Sequence, residues 1–323
     1  MSDIKVLLTR RWPQQVESEF GKYFDVTFNT SDIPFSENQL RDAMQIYDAL
    51  CPTVTDKITA ELFLEPDIRT RIIANYGVGY NHIDVQAAAN KNITVTNTPD
   101  VLTEATADLA LTLMLMLARR TREGERLLRN GDWQGWYPTH MMGTMLSGKT
   151  LGLIGMGRIG KAVARKASYG FGMKILYHNR RQLKQEELDG LQAIYCRDLE
   201  NMLPKCDFLS LHCPASTATY QIMNQQTLAL LPQHAFLINT ARGDVVDEKA
   251  LVQALQGKTI AGAGLDVYEN EPEVPEALLH MDNVVLLPHM GSATLDTRIA
   301  MGMRVLENLK AFFSGTKPGD CVS

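Results

Sequence analysis

The sequence has few cysteines, and none of them is spaced like a metal site or a regular disulfide framework. The five cysteines, an odd number, show no CxxC pair and no histidine at metal-ligand spacing; they are Cys51, Cys196, Cys206, Cys213 and Cys321. This usage indicates reduced thiols in a cytoplasmic protein. We therefore expect no bound metal.

Long hydrophobic runs are also missing. The longest apolar stretch, 109–118, is about half of the roughly 20 residues that a membrane-spanning helix needs, so it predicts a core helix. The first five residues show no basic segment followed by an apolar one, and we expect no secretory signal. These two absences predict a cytoplasmic protein with no membrane partner.

Positive charge is not in excess. The chain has 32 Lys and Arg against 37 Asp and Glu, a formal net charge of −5 that provides no field for nucleic acid. Several arginines in 119–129 alternate with Glu123 and Glu125 on a predicted helix, which is more typical of a solvated or subunit-facing surface. We therefore expect no nucleic-acid partner.

What the chain does contain is a repeated alternation of strand and helix patterns. At 323 residues, with 45% hydrophobic and 21% charged residues, it suggests two globular domains. Short apolar runs separated by helical segments predict parallel sheets. The runs lie at 4–9, 26–28, 46–50, 72–74 and 93–95, and again at 151–154, 175–177, 208–211, 236–238, 264–267 and 284–287.

The order of these patterns predicts a domain division. A long amphipathic helix is expected from Leu102 to Asn130, with Gly131 as its C-terminal stop, and a last helix from Asp296 to Phe313 should pack onto the first unit. The predicted fold class is α/β, with two Rossmann-like or flavodoxin-like domains, each with a mainly parallel sheet, and a cleft between them. The expected domains are 1–98 plus 291–323 for substrate and 99–290 for a dinucleotide.

The most informative stretch is the glycine-rich turn after the apolar run 151–154. Gly155, Gly157 and Gly160 have GxGxxG spacing: the first permits a tight turn, the second lets a pyrophosphate approach, and the third lets the helix pack closely. A helix N-terminus then presents free N–H groups to the phosphates. The preceding strand and the following helical pattern favour a dinucleotide site over an ordinary turn.

The next strand predicts which dinucleotide binds. NAD sites place an acid about 20 residues past the glycines, but here the strand ends in His178, Asn179, Arg180 and Arg181. Two arginines can form charge-assisted bonds to a 2′-phosphate, although they could also be merely solvated. The expected cofactor is NADPH, with NADH as a weaker alternative.

Three later segments each place a charged or titratable residue in a turn after a strand, at the sheet edge where α/β proteins bind ligands. These residues are Arg242 in 239–247, Glu271 in 264–272 and His289 in 287–293. With the glycine turn, the segments resemble the D-isomer-specific 2-hydroxyacid dehydrogenase family over essentially the whole chain. Singly, each residue has an ordinary structural explanation; jointly, the three favour catalysis.

The resemblance implies a role for each residue. His289 would be the acid/base, Glu271 would hydrogen-bond and orient it, and Arg242 would hold the substrate's carboxylate and carbonyl oxygens. The positions that match cofactor contacts are Thr106, Gly155, Gly157, Arg158, Ile159, Gly160, Asn179, Arg180, Arg181, Cys213, Pro214, Thr240, Ala241, Asp266, His289 and Gly291.

The resemblance also assigns substrate contacts, in addition to Arg242 and His289. Residues 76–82 resemble the family's glycine loop, in which the N–H groups of Val78 and Gly79 would receive the substrate carboxylate, with His82 beside the loop. The segment around Trp136 resembles the glyoxylate and hydroxypyruvate reductase branch, whose dimers send an aromatic residue toward the partner's pocket. A homodimer through the cofactor domains is therefore expected.

These patterns predict NADPH-dependent reduction of glyoxylate or hydroxypyruvate to glycolate or D-glycerate. Within the family, the alternatives are enzymes for 2-ketogluconate, phosphoglycerate, phosphite or formate. Outside it, the alternative is a non-catalytic, dinucleotide-sensing corepressor, against which we weigh the absence of a Pro/Ser-rich tail and of an NAD-type acid. The residues leave the preferred 2-keto acid open.

Overall fold

The computed structural model describes residues 3–322, which divide into two compact units. Residues up to Leu102 and those from Ser292 onward form the first, here called the terminal unit. Residues Thr103–Gly291 form the second, the central unit. The sequence predicts domain boundaries after residues 98 and 290, and the two units of the structure divide after Leu102 and Gly291.

The terminal unit has a five-stranded, fully parallel sheet in the order β2-β1-β3-β4-β5. Its strands are β1 (Lys5–Leu8), β2 (Asp25–Phe28), β3 (Ala49–Cys51), β4 (Ile72–Ala74) and β5 (Thr94–Thr96). Its helices are α1 (Gln14–Phe20), α2 (Glu37–Ile46), α3 (Val85–Asn90) and α11 (Leu295–Phe313). The central strands β3 and β4 are buried throughout, as expected for a parallel sheet with both faces covered.

Local signals determine where these helices begin. Ser36 caps α2 in a reciprocal capping box with Gln39, and the Asp84 carboxylate accepts the Ala87 N–H at 2.8 Å at the start of α3. α11 lies against α1 where Gly302 faces Val16, and a Cβ at Gly302 would collide with that valine. The last helix therefore packs on the first unit, as expected.

The central unit has a seven-stranded parallel sheet in the order β12-β11-β10-β9-β6-β7-β8. Its strands are β6 (Thr150–Ile154), β7 (Lys174–His178), β8 (Ala193–Tyr195), β9 (Phe208–Leu211), β10 (Phe236–Asn239), β11 (Gly262–Leu265) and β12 (Val284–Leu286). Strand order reverses between β6 and β9, the switch point where doubly wound sheets bind ligands. The two parallel sheets confirm the predicted α/β class with two Rossmann-like domains.

The helices of the central unit cover both faces of its sheet. They are α4 (Thr103–Ala118), α5 (Thr121–Arg129), α6 (Arg158–Phe171), α7 (Leu199–Met202), α8 (Gln225–Leu228), α9 (Glu248–Gln256) and α10 (Glu276–Leu279). Much of α4 is buried, and its apolar residues pack with β6 and α6. α4 is thus the core helix predicted from 109–118.

The single long helix predicted from Leu102 to Asn130 is wrong. The chain breaks at Arg120, whose φ of +50° lies in the left-handed region, and α5 starts anew at Thr121. The break follows from tertiary contacts, because the Thr144 N–H donates to the Ala118 carbonyl at 2.7 Å at the end of α4. α5 has no buried residue, in agreement with a solvated or subunit-facing arginine pattern.

Candidate active site

The glycine turn joins β6 to α6 at the switch point of the central sheet. Gly155 has φ +96°, and a Cβ there would lie 2.6 Å from the Cys213 nitrogen. At Gly160 a Cβ would collide with the Gly155 carbonyl, so α6 could not approach its strand. At Gly157 a Cβ would meet no atom within 4 Å, which leaves this side of the turn open.

The ends of the helix and strands around this turn fit a dinucleotide. Within the described chain, no side chain caps the N-terminus of α6, and such a helix N-terminus can bind an anion such as a phosphate. The Thr240 hydroxyl, at the end of β10, is buried without a hydrogen-bond partner in the described residues. The Asn179 side chain accepts the Met156 N–H at 2.7 Å and fixes the end of β7 beside the turn.

The two arginines after β7 have different surroundings. Arg181 forms a bidentate pair with Glu187 at 2.8 and 2.9 Å, and this hydrogen bond lowers the pKa of Glu187 to about 2. Arg180 is exposed and forms no ion pair with any residue in 3–322. Arg180 is therefore the more available cation for a 2′-phosphate.

The ends of β9 and β10 place further predicted cofactor positions at the same edge. Cys213 and Pro214 follow β9, and Thr240 and Ala241 follow β10. Next to them, His212 shares a 2.9 Å hydrogen bond with the Ser210 hydroxyl, and burial lowers the pKa of His212 to about 4. His212 is thus a neutral structural histidine at pH 7.

Arg242 lies in the turn after β10. The Asn239 side chain shapes this turn by accepting the Ala241 N–H at 3.0 Å and donating to the Arg242 carbonyl at 2.8 Å. Burial lowers the pKa of Arg242, while the charges of Glu271 and Asp244 oppose that shift. The guanidinium is therefore a desolvated cation close to the Glu271 carboxylate.

Glu271 and His289 form the central pair of the site. The His289 Nδ1 lies 2.7 Å from the Glu271 Oε2, and the other carboxylate oxygen accepts the Tyr268 N–H at 3.1 Å. Burial raises the pKa of Glu271. The His289 hydrogen bond and the nearby Arg242 charge lower this pKa by more than burial raises it, so the net shift is downward. The charged carboxylate can only accept, so a proton on the His289 Nδ1 completes this hydrogen bond, and Nε2 takes no part in the pair.

The loop that carries His289 is held from two sides. His289 itself has φ +51°, an unusual backbone conformation that strains a residue other than glycine. The buried Asp266 carboxylate accepts the Met290 N–H at 2.7 Å and the Gly291 N–H at 2.8 Å, and burial raises its pKa. The Tyr268 hydroxyl donates to the Leu287 carbonyl at 2.9 Å, just before the loop.

Three supporting residues were missed from the sequence. A Cβ at Gly243 would collide with the backbone of Tyr268 and Glu269, so only glycine lets the Arg242 turn lie against the Glu271 turn. The buried Glu248 accepts the Glu269 N–H at 3.0 Å, and burial raises its pKa. Tyr268 is the third. Each of these residues acts through a contact between segments that are distant in sequence, and the spacing of residues along the chain does not show such contacts.

The remaining predicted residues lie on other elements of the fold. Thr106 is buried in the first turns of α4, and its side chain lies near the position of Gly291. Val78 and Gly79 are half-buried in a turn after β4 of the terminal unit. Trp136 lies in an irregular stretch of the central unit and is 80% exposed in the single chain. Among residues 3–322, no cluster of side chains could hold a metal ion.

Comparison with known proteins identifies the family. Residues 111–291 match the model for the NAD binding domain of D-isomer specific 2-hydroxyacid dehydrogenase. A glyoxylate reductase from Thermococcus litoralis is 44% identical over 324 residues, which cover 99% of this chain and 96% of that protein. The chain belongs to the D-isomer-specific 2-hydroxyacid dehydrogenase family. As such a dehydrogenase, it is an NAD(P)-dependent oxidoreductase of the glyoxylate reductase branch.

Other dehydrogenases of this family are similar over the full length. A glyoxylate reductase from Korarchaeum cryptofilum is 43% identical and covers 99% of this chain and 96% of its own length. A Sinorhizobium meliloti NADPH-dependent glyoxylate/hydroxypyruvate reductase, solved with NADP and malonate, has a TM-score of 0.88 at 39% identity and covers 100% of this chain and 97% of its own. In the described part of this dehydrogenase, no helix is long and apolar enough to cross a bilayer.

Proposed function

We propose that this dehydrogenase reduces glyoxylate to glycolate and hydroxypyruvate to D-glycerate with NADPH. The observation that carries the proposal is the 2.7 Å pair of His289 and Glu271 beside the desolvated Arg242, at the sheet edge that also holds the glycine turn. The similar proteins named above as glyoxylate reductases support the substrate class.

The proton comes from His289. Glu271 accepts from Nδ1, which orients the ring and stabilises its protonated form, so Nε2–H donates to the carbonyl oxygen as negative charge develops there. Arg242 holds the carboxylate and the carbonyl oxygen of the substrate with its fork of donors. Bound NADPH supplies the hydride that the carbonyl carbon accepts.

Binding of the substrate and the cofactor uses the positions predicted from sequence. The N–H groups of Val78 and Gly79 bind the substrate carboxylate, and Trp136 reaches the pocket of a partner copy in a homodimer. Gly157 and the N-terminus of α6 would hold the pyrophosphate of the cofactor, Arg180 would hold its 2′-phosphate, and Asp266 would bind its nicotinamide amide. Because cells keep NADPH reduced, the enzyme runs as a reductase.

The test is the loss of absorbance of the reduced nicotinamide, with NADPH against glyoxylate, hydroxypyruvate, pyruvate and 2-ketogluconate. We expect rapid loss with one of the first two and formation of the D-hydroxy acid from hydroxypyruvate. His289→Gln should lower kcat by about 10²–10⁴-fold because the proton donor is removed, while NADPH still binds through the glycine turn and Arg180. Loss of absorbance with none of the four acids, together with intact nucleotide binding, would favour the corepressor alternative.

A further inference from the structure

The turn after β4 has its carbonyl groups held by two buried asparagine side chains. The Asn75 amide donates to the carbonyls of Gly77 at 2.9 Å and Gly79 at 3.0 Å. The Asn97 amide donates to the carbonyl of Val78 at 2.8 Å. Three successive carbonyls are thus each held by the side-chain amide of Asn75 or of Asn97, a pair that we call the amide clamp.

The positions of these carbonyl groups predict where the N–H groups of the turn point. In a trans peptide the carbonyl of one residue and the N–H of the next point in opposite directions. Holding the carbonyls of 77, 78 and 79 therefore turns the N–H groups of Val78, Gly79 and Tyr80 away from the clamp. Among residues 3–322, the N–H groups of Val78 and Gly79 donate no hydrogen bond, and such a row of N–H groups attracts anions.

His82 determines which way the Asn75 amide points. The His82 Nε2 lies 3.0 Å from the Asn75 Oδ1, on the side opposite the two donated bonds. Asn75 is fully buried, and a flipped amide would place its oxygen against two carbonyl oxygens. A proton on the His82 Nε2 favours the orientation that holds the turn.

Asn97 is anchored from outside the turn. Its N–H donates to the Asp320 carbonyl at 3.2 Å, and the Asn308 side chain, on α11, donates to the Asn97 carbonyl at 3.4 Å. The Asn308 side chain also donates to the Asp320 carboxylate at 3.0 Å. The C-terminal segment therefore fixes one half of the clamp.

The geometry points to Asn75, Asn97 and His82 as positioning residues that set the affinity of the enzyme for the carboxylate of its substrate. This inference rests on the proposed function, in which Val78 and Gly79 bind that carboxylate. None of the three needs to touch the substrate, because they act by orienting the peptide groups of the turn.

The test separates substrate binding from chemistry. Asn97→Asp replaces the donor with an acceptor of the same shape, and we expect the KM for glyoxylate to rise at least about tenfold while kcat and the KM for NADPH change less than threefold. The inhibition constant of oxalate, which has the carboxylate but no reducible carbonyl, should rise in parallel. A general loss of folding would instead change kcat, the NADPH KM and the thermal midpoint together.

His82 provides a matched pair of variants that does not alter the clamp itself. His82→Gln keeps an N–H donor of similar reach and should retain the wild-type KM within threefold, whereas His82→Met removes the donor and should raise it. If Asn97→Asp does not fold, this pair carries the test. Equal KM and oxalate inhibition in both His82 variants and the wild type would overturn the inference.

A binding measurement tests the amide clamp even if the proposed function is wrong. If the wild-type protein oxidises no NADPH with any 2-keto acid, oxalate binding is measured by calorimetry in the wild type, Asn97→Asp and the two His82 variants. Binding at least tenfold weaker in Asn97→Asp or His82→Met, but not in His82→Gln, supports the clamp as an anion site. Equal binding in all of them, or none in the wild type, contradicts it.

Discussion

At the scale of single residues, the site depends on charges that are only partly shielded from water: the His289 and Glu271 side chains are 30% and 32% exposed. Arg242 and Glu271 lie within electrostatic reach of each other, and each keeps its charge at pH 7 although burial opposes it. The sequence could predict these residues and His289 because each follows a strand at the same sheet edge. It could not predict the φ of +51° at His289 or the Asp266 hydrogen bonds, which depend on loops meeting in space.

The charge of Glu271 leads to a pH prediction. Its pKa is lowered in the folded protein, so it is ionised throughout the neutral range, and its negative charge lies at hydrogen-bond distance from the His289 ring. Glu271→Gln should therefore shift the alkaline fall in reductase activity to lower pH and lower kcat. The pH dependence of kcat checks this, and a variant whose alkaline limb coincides with that of the wild type would exclude the role.

The different surroundings of the two arginines after β7 give a second prediction. Arg180 is available, whereas Arg181 is already paired with Glu187. Arg180→Ala should raise the NADPH KM by an amount worth roughly 1–3 kcal/mol and leave the NADH KM nearly unchanged. Arg181→Ala is the matched control and should have the smaller effect; the reverse order would assign the 2′-phosphate to Arg181.

At the scale of elements, close approach between turns explains what the sequence did not show. The longer strands and the glycine turn could be predicted because short apolar runs and GxGxxG spacing are visible in neighbouring residues. The short strand β8 was missed because only three residues form it and the middle one, Ile194, faces solvent. The break at Arg120 was missed because a later segment bonds to the end of α4.

Gly243 allows a direct test of turn packing. In Gly243→Ala the new Cβ would meet the backbone of Tyr268, so we expect a loss of about 3 kcal/mol or more in the free energy of unfolding, together with lower activity. Gly170, exposed in α6 with nothing near its missing Cβ, is the control; Gly170→Ala should gain about 0.5–1 kcal/mol. Denaturant unfolding of both variants checks the pair, and an unaffected Gly243→Ala would show that the turns can separate.

At the scale of the whole molecule, one stretch of the central unit exposes several large apolar side chains. Large apolar side chains of the central unit are exposed together along one part of the sequence: Leu128, Trp133, Trp136, Tyr137, Met142 and Met145. A run of this kind is typical of a subunit interface. The predicted homodimer remains a proposal, and it gives Trp136 a place to act.

The dimer proposal predicts a mass of two 36.0 kDa chains by light scattering. Trp136→Ala should leave this mass unchanged, since the other apolar residues remain, but should raise the KM for hydroxypyruvate. Unchanged kinetics toward hydroxypyruvate would remove Trp136 from the substrate site, and a single-chain mass would exclude its action on a partner copy.

The proposed activity requires the glycine turn, the arginines after β7 and the His289–Glu271 pair together. The most direct test is the kcat/KM for NADPH and for NADH, measured side by side with saturating glyoxylate. We predict rapid turnover with a clear preference for NADPH that is lost in Arg180→Ala. Equal or better turnover with NADH would contradict the cofactor assignment, and no turnover with either would contradict the proposed reaction.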